Sequence, residues 1–142
     1  MTLPRPERGL VISYAYLWHR EHVLGREDGA KDRPCVVVLA VEAEGGDFVV
    51  TVAPVTHAIP STADAAIEIP VATKRRLGLD DAPSWILVGE GNRFVWPGPD
   101  SRPIDSGVFA YGFLPPALFQ RVPEKSRTHA VARRVRFVPR SD

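Results

Sequence analysis

The sequence predicts a mainly β fold of the α+β kind, a strongly curved sheet or partly closed barrel carrying one or two short helices. Three observations predict it. Fourteen prolines and eleven glycines punctuate 142 residues, which breaks the chain too often for a helical bundle. Between these breaks lie roughly six or seven short apolar runs with strand character. The strongest of them, Pro34-Cys35-Val36-Val37-Val38-Leu39-Ala40-Val41, is largely β-branched and apolar throughout, as a strand buried on both faces requires. The length suits one domain. A composition of 44% hydrophobic and 25% charged residues favours a packed core over disorder.

The elements follow in order. Leu10 to Tyr16 reads as a first strand, and Leu17 to Asp32, polar and glycine-bearing, as a long loop of the sort that usually carries function. The Val-rich strand comes next. Glu44-Gly45-Gly46-Asp47 is a hairpin turn by composition, and Phe48 to Ala53 is the partner strand, expected to end at Pro54. Thr56 to Asp64 reads as loop and Ala66 to Ile69 as a short strand halted by Pro70. Val71 to Asp81 is a connection with one helical turn around Lys74–Leu77. Ser84 to Val88 is another strand, with Arg93 to Trp96 as its continuation, and Val108 to Phe113 a further one. Pro116 suits the first position of a helix running to Arg121, which Pro123 should end or bend. Arg134 to Val138 alternates charged and apolar residues like an edge strand. The whole is read as a single domain over 1–142, with its core at about 8–122 and a C-terminal extension over 123–142. There is no internal repeat.

Several function classes are set aside. The net charge of +1 announces no polyanion partner through the overall field, so any such site is local. Lys31-Asp32-Arg33, Lys74-Arg75-Arg76 and the arginines of the tail offer local positive charge, although such clusters are commonly solvated surface. The lone Cys35 forms no internal disulfide and suits a reducing cytoplasm; inside its apolar strand it should pack as a small hydrophobe. The start, Met1 to Pro6, lacks the apolar core of a signal peptide, and no apolar run approaches the ~18–20 residues that cross a bilayer. A cytoplasmic protein with no membrane partner is expected. Phosphate-binding loops, dinucleotide fingerprints and CxxC pairs are absent. His19 and His22 have an HxxH spacing but no third ligand nearby, so no metal or other cofactor is expected. Ser84 lacks the glycines of a nucleophile elbow, and spacing alone implies no Ser-His-Asp arrangement.

What remains is a pair of strand ends. Asp32-Arg33-Pro34 opens the Val-rich strand, and Pro54-Val55-Thr56-His57 follows its hairpin partner. The start of one antiparallel strand lies beside the end of the next, so Arg33 and Thr56 should be neighbours. A guanidinium beside a hydroxyl suits a phosphodiester. The bland alternative is a surface arginine before a proline and a turn threonine.

These blocks resemble the MazF/PemK toxin family. Arg8-Gly9-Leu10-Val11, then Lys31 to Leu39, then Val52-Ala53-Pro54-Val55-Thr56 look like a Gly-led first strand, an Arg-Pro entering a Val-rich strand, and a Pro-x-Thr after the next. Gly78-Leu79 with Ser84 to Leu87 resembles a later block, and Leu114–Val122 sits where the family carries a helix. The resemblance implies an SH3-like small β-barrel of the MazF/PemK/CcdB type with a short C-terminal helix, usually a homodimer. It also implies a metal-free endoribonuclease toxin that cuts single-stranded RNA by 2′-hydroxyl attack and is restrained by a cognate antitoxin protein. Carried over, Arg33 binds the phosphate and Thr56 positions it. Some members carry an arginine and an acid where this chain has Leu87 and Gly89. Glu90, one step away, is then the substitute, with His57 as a second catalytic candidate. Trp18, His19, Lys31 and Arg93 are expected to bind substrate, Trp18 by stacking on a base. The same departure leaves a second possibility, a catalytically inactive binding module or a CcdB-like inhibitor of a protein target.

Overall fold

The structure, a computed structural model, describes residues 5–18, 25, 32–43, 45–60, 66–96, 110–125 and 136–139. Eight strands are seen among them: β1 (Leu10–Ala15), β2 (Asp32–Glu42), β3 (Phe48–Thr56), β4 (Ala66–Glu68), β5 (Trp85–Leu87), β6 (Glu90–Val95), β7 (Ala110–Phe113) and β8 (Arg136–Pro139). Two short helices accompany them, α1 (Val71–Leu77) and α2 (Pro116–Phe119). Residues 121–125 are also helical, so Pro123 lies within a first helical turn, where its missing N–H costs nothing, rather than ending the helix.

The strands form one curled, half-barrel sheet in the order β4-β5-β3-β2-β1-β7, with β6 joined to β3 and β8 to β6. All pairings are antiparallel except β6 with β8, which is parallel. β5 and β6 are separate strands, not one continued run. Both pair with β3, on one edge but at different heights: β6 with Val49–Val52 and β5 with Val55–Thr56. Pro54 falls in the gap between them. It has no N–H to give a ladder, and at this position the edge asks for none, so β3 continues to Thr56 instead of stopping at Pro54. The β2–β3 hairpin turns at Gly45 and Gly46, both at positive φ, with the Ala43 N–H donating to the Asp47 carbonyl at 2.7 Å.

Alternation along the strands sorts the core onto two faces. One face gathers Val11, Val36, Ala53, Val55, Ile67, Ile86 and Val88 under Leu77, Leu118 and Val122 from the helical segments and Leu114 just ahead of α2. The other gathers Ile12, Tyr14, Tyr16, Cys35, Val37, Val50, Val52 and Phe94, with Trp18 and Trp96 packed against it. Cys35 is fully buried in that second face, as its apolar run implied. α1 stops at Gly78, whose left-handed φ of 75° closes the helix with N–H bonds back to Arg75 and Lys74. Among the described residues no helix is long and apolar enough to cross a membrane.

Candidate functional site

The β2–β3 ladder ends at Cys35↔Pro54. Arg33 and Thr56 each lie two residues beyond that pair, on neighbouring strands at the same end of the sheet. Residues two apart on a strand share a face, so both side chains belong to the Cys35 face. The β3–β6 ladder ends at Val52↔Asn92, which brings Glu90 to this end and, again by alternation, to this face. Three of the four expected catalytic residues therefore converge.

Arg33 lies with its guanidinium 4.8 Å from the Trp18 ring centroid, a cation–π contact. Its Nε is buried and has no hydrogen-bond partner among the described residues. Trp18 meets Tyr16 edge-on at 5.1 Å, and the Tyr16 hydroxyl donates to Glu90 Oε1 at 3.0 Å. Burial first, and then the Glu90 charge, push the Tyr16 phenol well above its ordinary pKa, so it stays a proton donor to the carboxylate. The chain entering this cluster is pinned by Asn92, which accepts from the Leu17 N–H and donates to the Leu17 carbonyl, both at 2.8 Å. The first residues of the expected loop, Leu17 and Trp18, are thus part of the packed structure. Thr56 is 8% exposed, and its Oγ1 accepts the Ala58 N–H at 3.1 Å. It therefore presents a hydroxyl proton rather than an open surface.

His57, the fourth catalytic expectation, does not join them. One residue on from Thr56, it turns to the opposite face. There Asp32, Arg33, Pro34, Val55, His57, Lys74, Leu79, Asp80 and Ser84 line a cavity of about 240 Å³, so Arg33 at the strand end borders both this cavity and the Cys35-face cluster. His57 Nε2 lies 2.8 Å from Asp80 Oδ2, and Nδ1 lies 3.0 Å from Ser84 Oγ and 2.9 Å from the Pro83 carbonyl. Lys74, 1% exposed, donates to Asp80 Oδ1 at 2.8 Å, to Ser84 Oγ at 2.6 Å and to the Ala82 carbonyl. This buried ammonium, seconded by His57, holds the Asp80 carboxyl below the usual carboxylate range. Lys74 was expected within a solvated charge cluster; Arg75 and Arg76 are exposed, but Lys74 points inward from α1.

Of the expected substrate-binding residues, Trp18 stands in the site. Arg93 does not, because it pairs with Thr51, five residues or ~17 Å along β3 from Thr56. His19 and Lys31 lie outside the described residues, as does His22. Among the described residues no three of His, Cys, Asp and Glu cluster closely enough to ligate a metal ion. Sequence reasoning missed Tyr16, Lys74, Asp80 and the use of Ser84. The sequence held one signal for them: Asp80-Asp81 shortly after the helix-ending Gly78, where a carboxylate can face back toward the lysine of the last helical turn. No family model matches the chain, and no curated protein is detectably similar to it.

Proposed function

We propose that this protein is a metal-independent endoribonuclease of the MazF/PemK kind, acting on single-stranded RNA at the Arg33–Thr56–Glu90 end of the sheet. The observation that carries the reading is Arg33 itself: a guanidinium braced on an indole, with a buried Nε that has no hydrogen-bond partner among the described residues. A phosphate oxygen would satisfy that donor, and an adjacent base would find the aromatic surface at Trp18. In this reading the RNA 2′-oxygen attacks the neighbouring phosphorus, the bond to the 5′-oxygen breaks, and a 2′,3′-cyclic phosphate and a 5′-hydroxyl result. Glu90, oriented by Tyr16, takes the 2′-hydroxyl proton, and water supplies a proton to the departing 5′-oxygen. Arg33 offsets the charge that grows on the phosphorane oxygens, and the Thr56 hydroxyl proton points to one of them. Because His57 is engaged on the other face, it has no part in this step.

The finer architecture belongs to the same proposal: an SH3-like small barrel that acts as a cytoplasmic homodimer and is neutralised by a cognate antitoxin. The experiment is incubation of unstructured RNA with the purified chain in EDTA, reading fragment ends. Cyclic phosphate termini from wild type, lost in Arg33→Ala and Glu90→Gln, support the reading. Intact RNA with folded wild type refutes it.

One observation favours a second reading, a catalytically inactive module or a CcdB-like inhibitor of a protein target. The Thr56 hydroxyl is nearly sealed, and Leu87 and Gly89 stand where some relatives of the resembled family carry an arginine and an acid. Growth arrest on expression without RNA fragmentation selects it.

A further inference from the structure

The His57 face of the strand end holds a constellation that the RNA site does not use. The chemistry of its members dictates where the protons lie. Asp80, kept ionised by Lys74, only accepts, so His57 Nε2 carries a hydrogen. An ammonium only donates, so Ser84 Oγ accepts from Lys74 at 2.6 Å. The serine's own proton is left two acceptors, His57 Nδ1 at 3.0 Å and the Ala82 carbonyl at 3.2 Å. On a neutral imidazole Nδ1 has a lone pair and takes that hydrogen bond. On an imidazolium, Nδ1–H turns to the Pro83 carbonyl at 2.9 Å and the hydroxyl turns to Ala82. Neutral His57 therefore activates Ser84, and protonated His57 releases it. Hydroxyl, imidazole and carboxylate stand in the order a nucleophile, its base and the base's orienting group require.

We propose that Ser84 is a nucleophile that accepts acyl groups from small carboxylic esters through the 240 Å³ cavity. Ser84 Oγ bonds to the ester carbonyl carbon while its proton passes to His57 Nδ1. Collapse of the tetrahedral adduct breaks the bond to the alcohol oxygen, which takes the proton from His57 and leaves. Water, deprotonated by the same Nδ1, then releases the acid and restores the serine. The ammonium of Lys74 spends its protons on Asp80, Ala82 and Ser84 Oγ, so it offers the oxyanion only the field of a nearby positive charge. Asp80 borders the cavity but bonds to His57 and Lys74 rather than to Ser84; it is a positioning residue that holds the Nε2–H tautomer. Ser84 is 1% exposed, so only its side toward the cavity reacts, which confines the substrate to short acyl groups. The charges facing His57 are Asp80 and Lys74 at hydrogen-bonding range of the network, and Asp32 and Arg33 of β2 across the cavity.

The experiment treats the full chain with p-nitrophenyl acetate, following p-nitrophenolate release and mapping acetylated peptides by mass spectrometry. Acetylation of Ser84 is expected, about 100-fold slower in His57→Ala and His57→Gln and absent in Ser84→Ala. His57 is half exposed, so both its variants should keep the fold, checked by circular dichroism. In Asp80→Asn the pH dependence of acetylation should move while binding of the ester changes little. Acetylation of surface lysines alone, with Ser84 unmodified in folded wild type, overturns the proposal. So does a Ser84 rate unchanged by loss of His57. Neither result bears on RNA cleavage at the other face.

Discussion

Lys74→Met tests how the buried network holds the fold. The substitution keeps the length and apolar stem of the side chain and removes the ammonium. Lys74 is 1% exposed and spends its donors on Asp80, Ala82 and Ser84. Removing one partner of a fully buried ion pair costs about 3–5 kcal/mol, but that figure does not apply in full, because the Asp80 side chain is 59% exposed and rehydrates. What stays behind is the Ala82 carbonyl, which belongs to an exposed residue and has the Ser84 hydroxyl 3.2 Å away, so its loss of the ammonium donor lies at the low end of about 1–3 kcal/mol. Ser84 keeps His57 as a partner. The desolvation of the ammonium is meanwhile relieved. A net loss of about 1 kcal/mol follows, or about 3–4 °C in Tm for a domain of this size. Thermal melts at neutral pH read it. The pH dependence supplies an independent check. Asp80 is more acidic folded than unfolded, so its contribution is fully present above the unfolded value, roughly 4, and fades as pH falls through the lower folded value. Lys74 is the main cause of that depression, so the gap between wild type and variant should narrow below about pH 4. A variant melting within about 1 °C of wild type at neutral pH would refute the reasoning, and so would a gap that widens in acid.

Three further outcomes follow from the other face. Asn92→Ala strips both hydrogen bonds from the Leu17 backbone; at about 1–3 kcal/mol for each buried group left unmet, it should lower stability in urea titrations and quench less of the Trp18 fluorescence on RNA addition. Trp18→Ala should weaken binding of a short single-stranded RNA by about 1–3 kcal/mol, measured by fluorescence anisotropy at fixed salt, with circular dichroism unchanged. Arg33→Lys retains the charge but not the planar stack or the Nε donor, and should lose cleavage nearly as fully as Arg33→Ala in a gel assay of fragment ends.

Much of the fold was legible because hydrophobic alternation and turn chemistry are local. The Val-rich run became β2, Gly45-Gly46 made the turn, and the antiparallel logic of one hairpin brought Arg33 and Thr56 to one end. Pro54 misled, since a proline reads as a strand terminator unless one knows that its edge faces the gap between β5 and β6. The hydrogen-bonded cluster was illegible for a different reason. Lys74, Asp80 and Ser84 sit in a stretch whose charges and prolines read as a surface connection, and His57 reads as a turn residue. Only the β3–β5 pairing, Thr56↔Trp85, lays Ser84 beside His57. Tyr16 and Glu90 are likewise 74 positions apart, joined through β6, which no short window of sequence reveals.

The two faces depend on a single register. Thr56 and His57 are adjacent, so strand alternation sends one toward Arg33 and the other toward Ser84, and a slip of one residue would exchange them. β3 cannot slip along β5 without moving Ile86 off Val55 in the core. Along β2 the register shifts between Val37 and Leu39, and that irregularity pins the hairpin on both sides of itself. Deleting Val38 should remove the shift without reversing either half: Val37 already opposes Val52 and Leu39 already opposes Thr51, so the shortened strand alternates regularly from Arg33 to Val41. Leu39 and Val41 are 46% and 51% exposed while Cys35 and Val37 are fully buried. Burial and ladder therefore agree, and the Arg33 end should survive the deletion. With Trp85 and Trp96 replaced by phenylalanine, the fluorescence of Trp18, which reports the guanidinium on its ring, should then be the same with and without the deletion. A red-shifted, solvent-exposed Trp18 in a folded Val38 deletion would show that the irregularity itself, rather than the ladder, governs where the arginine points.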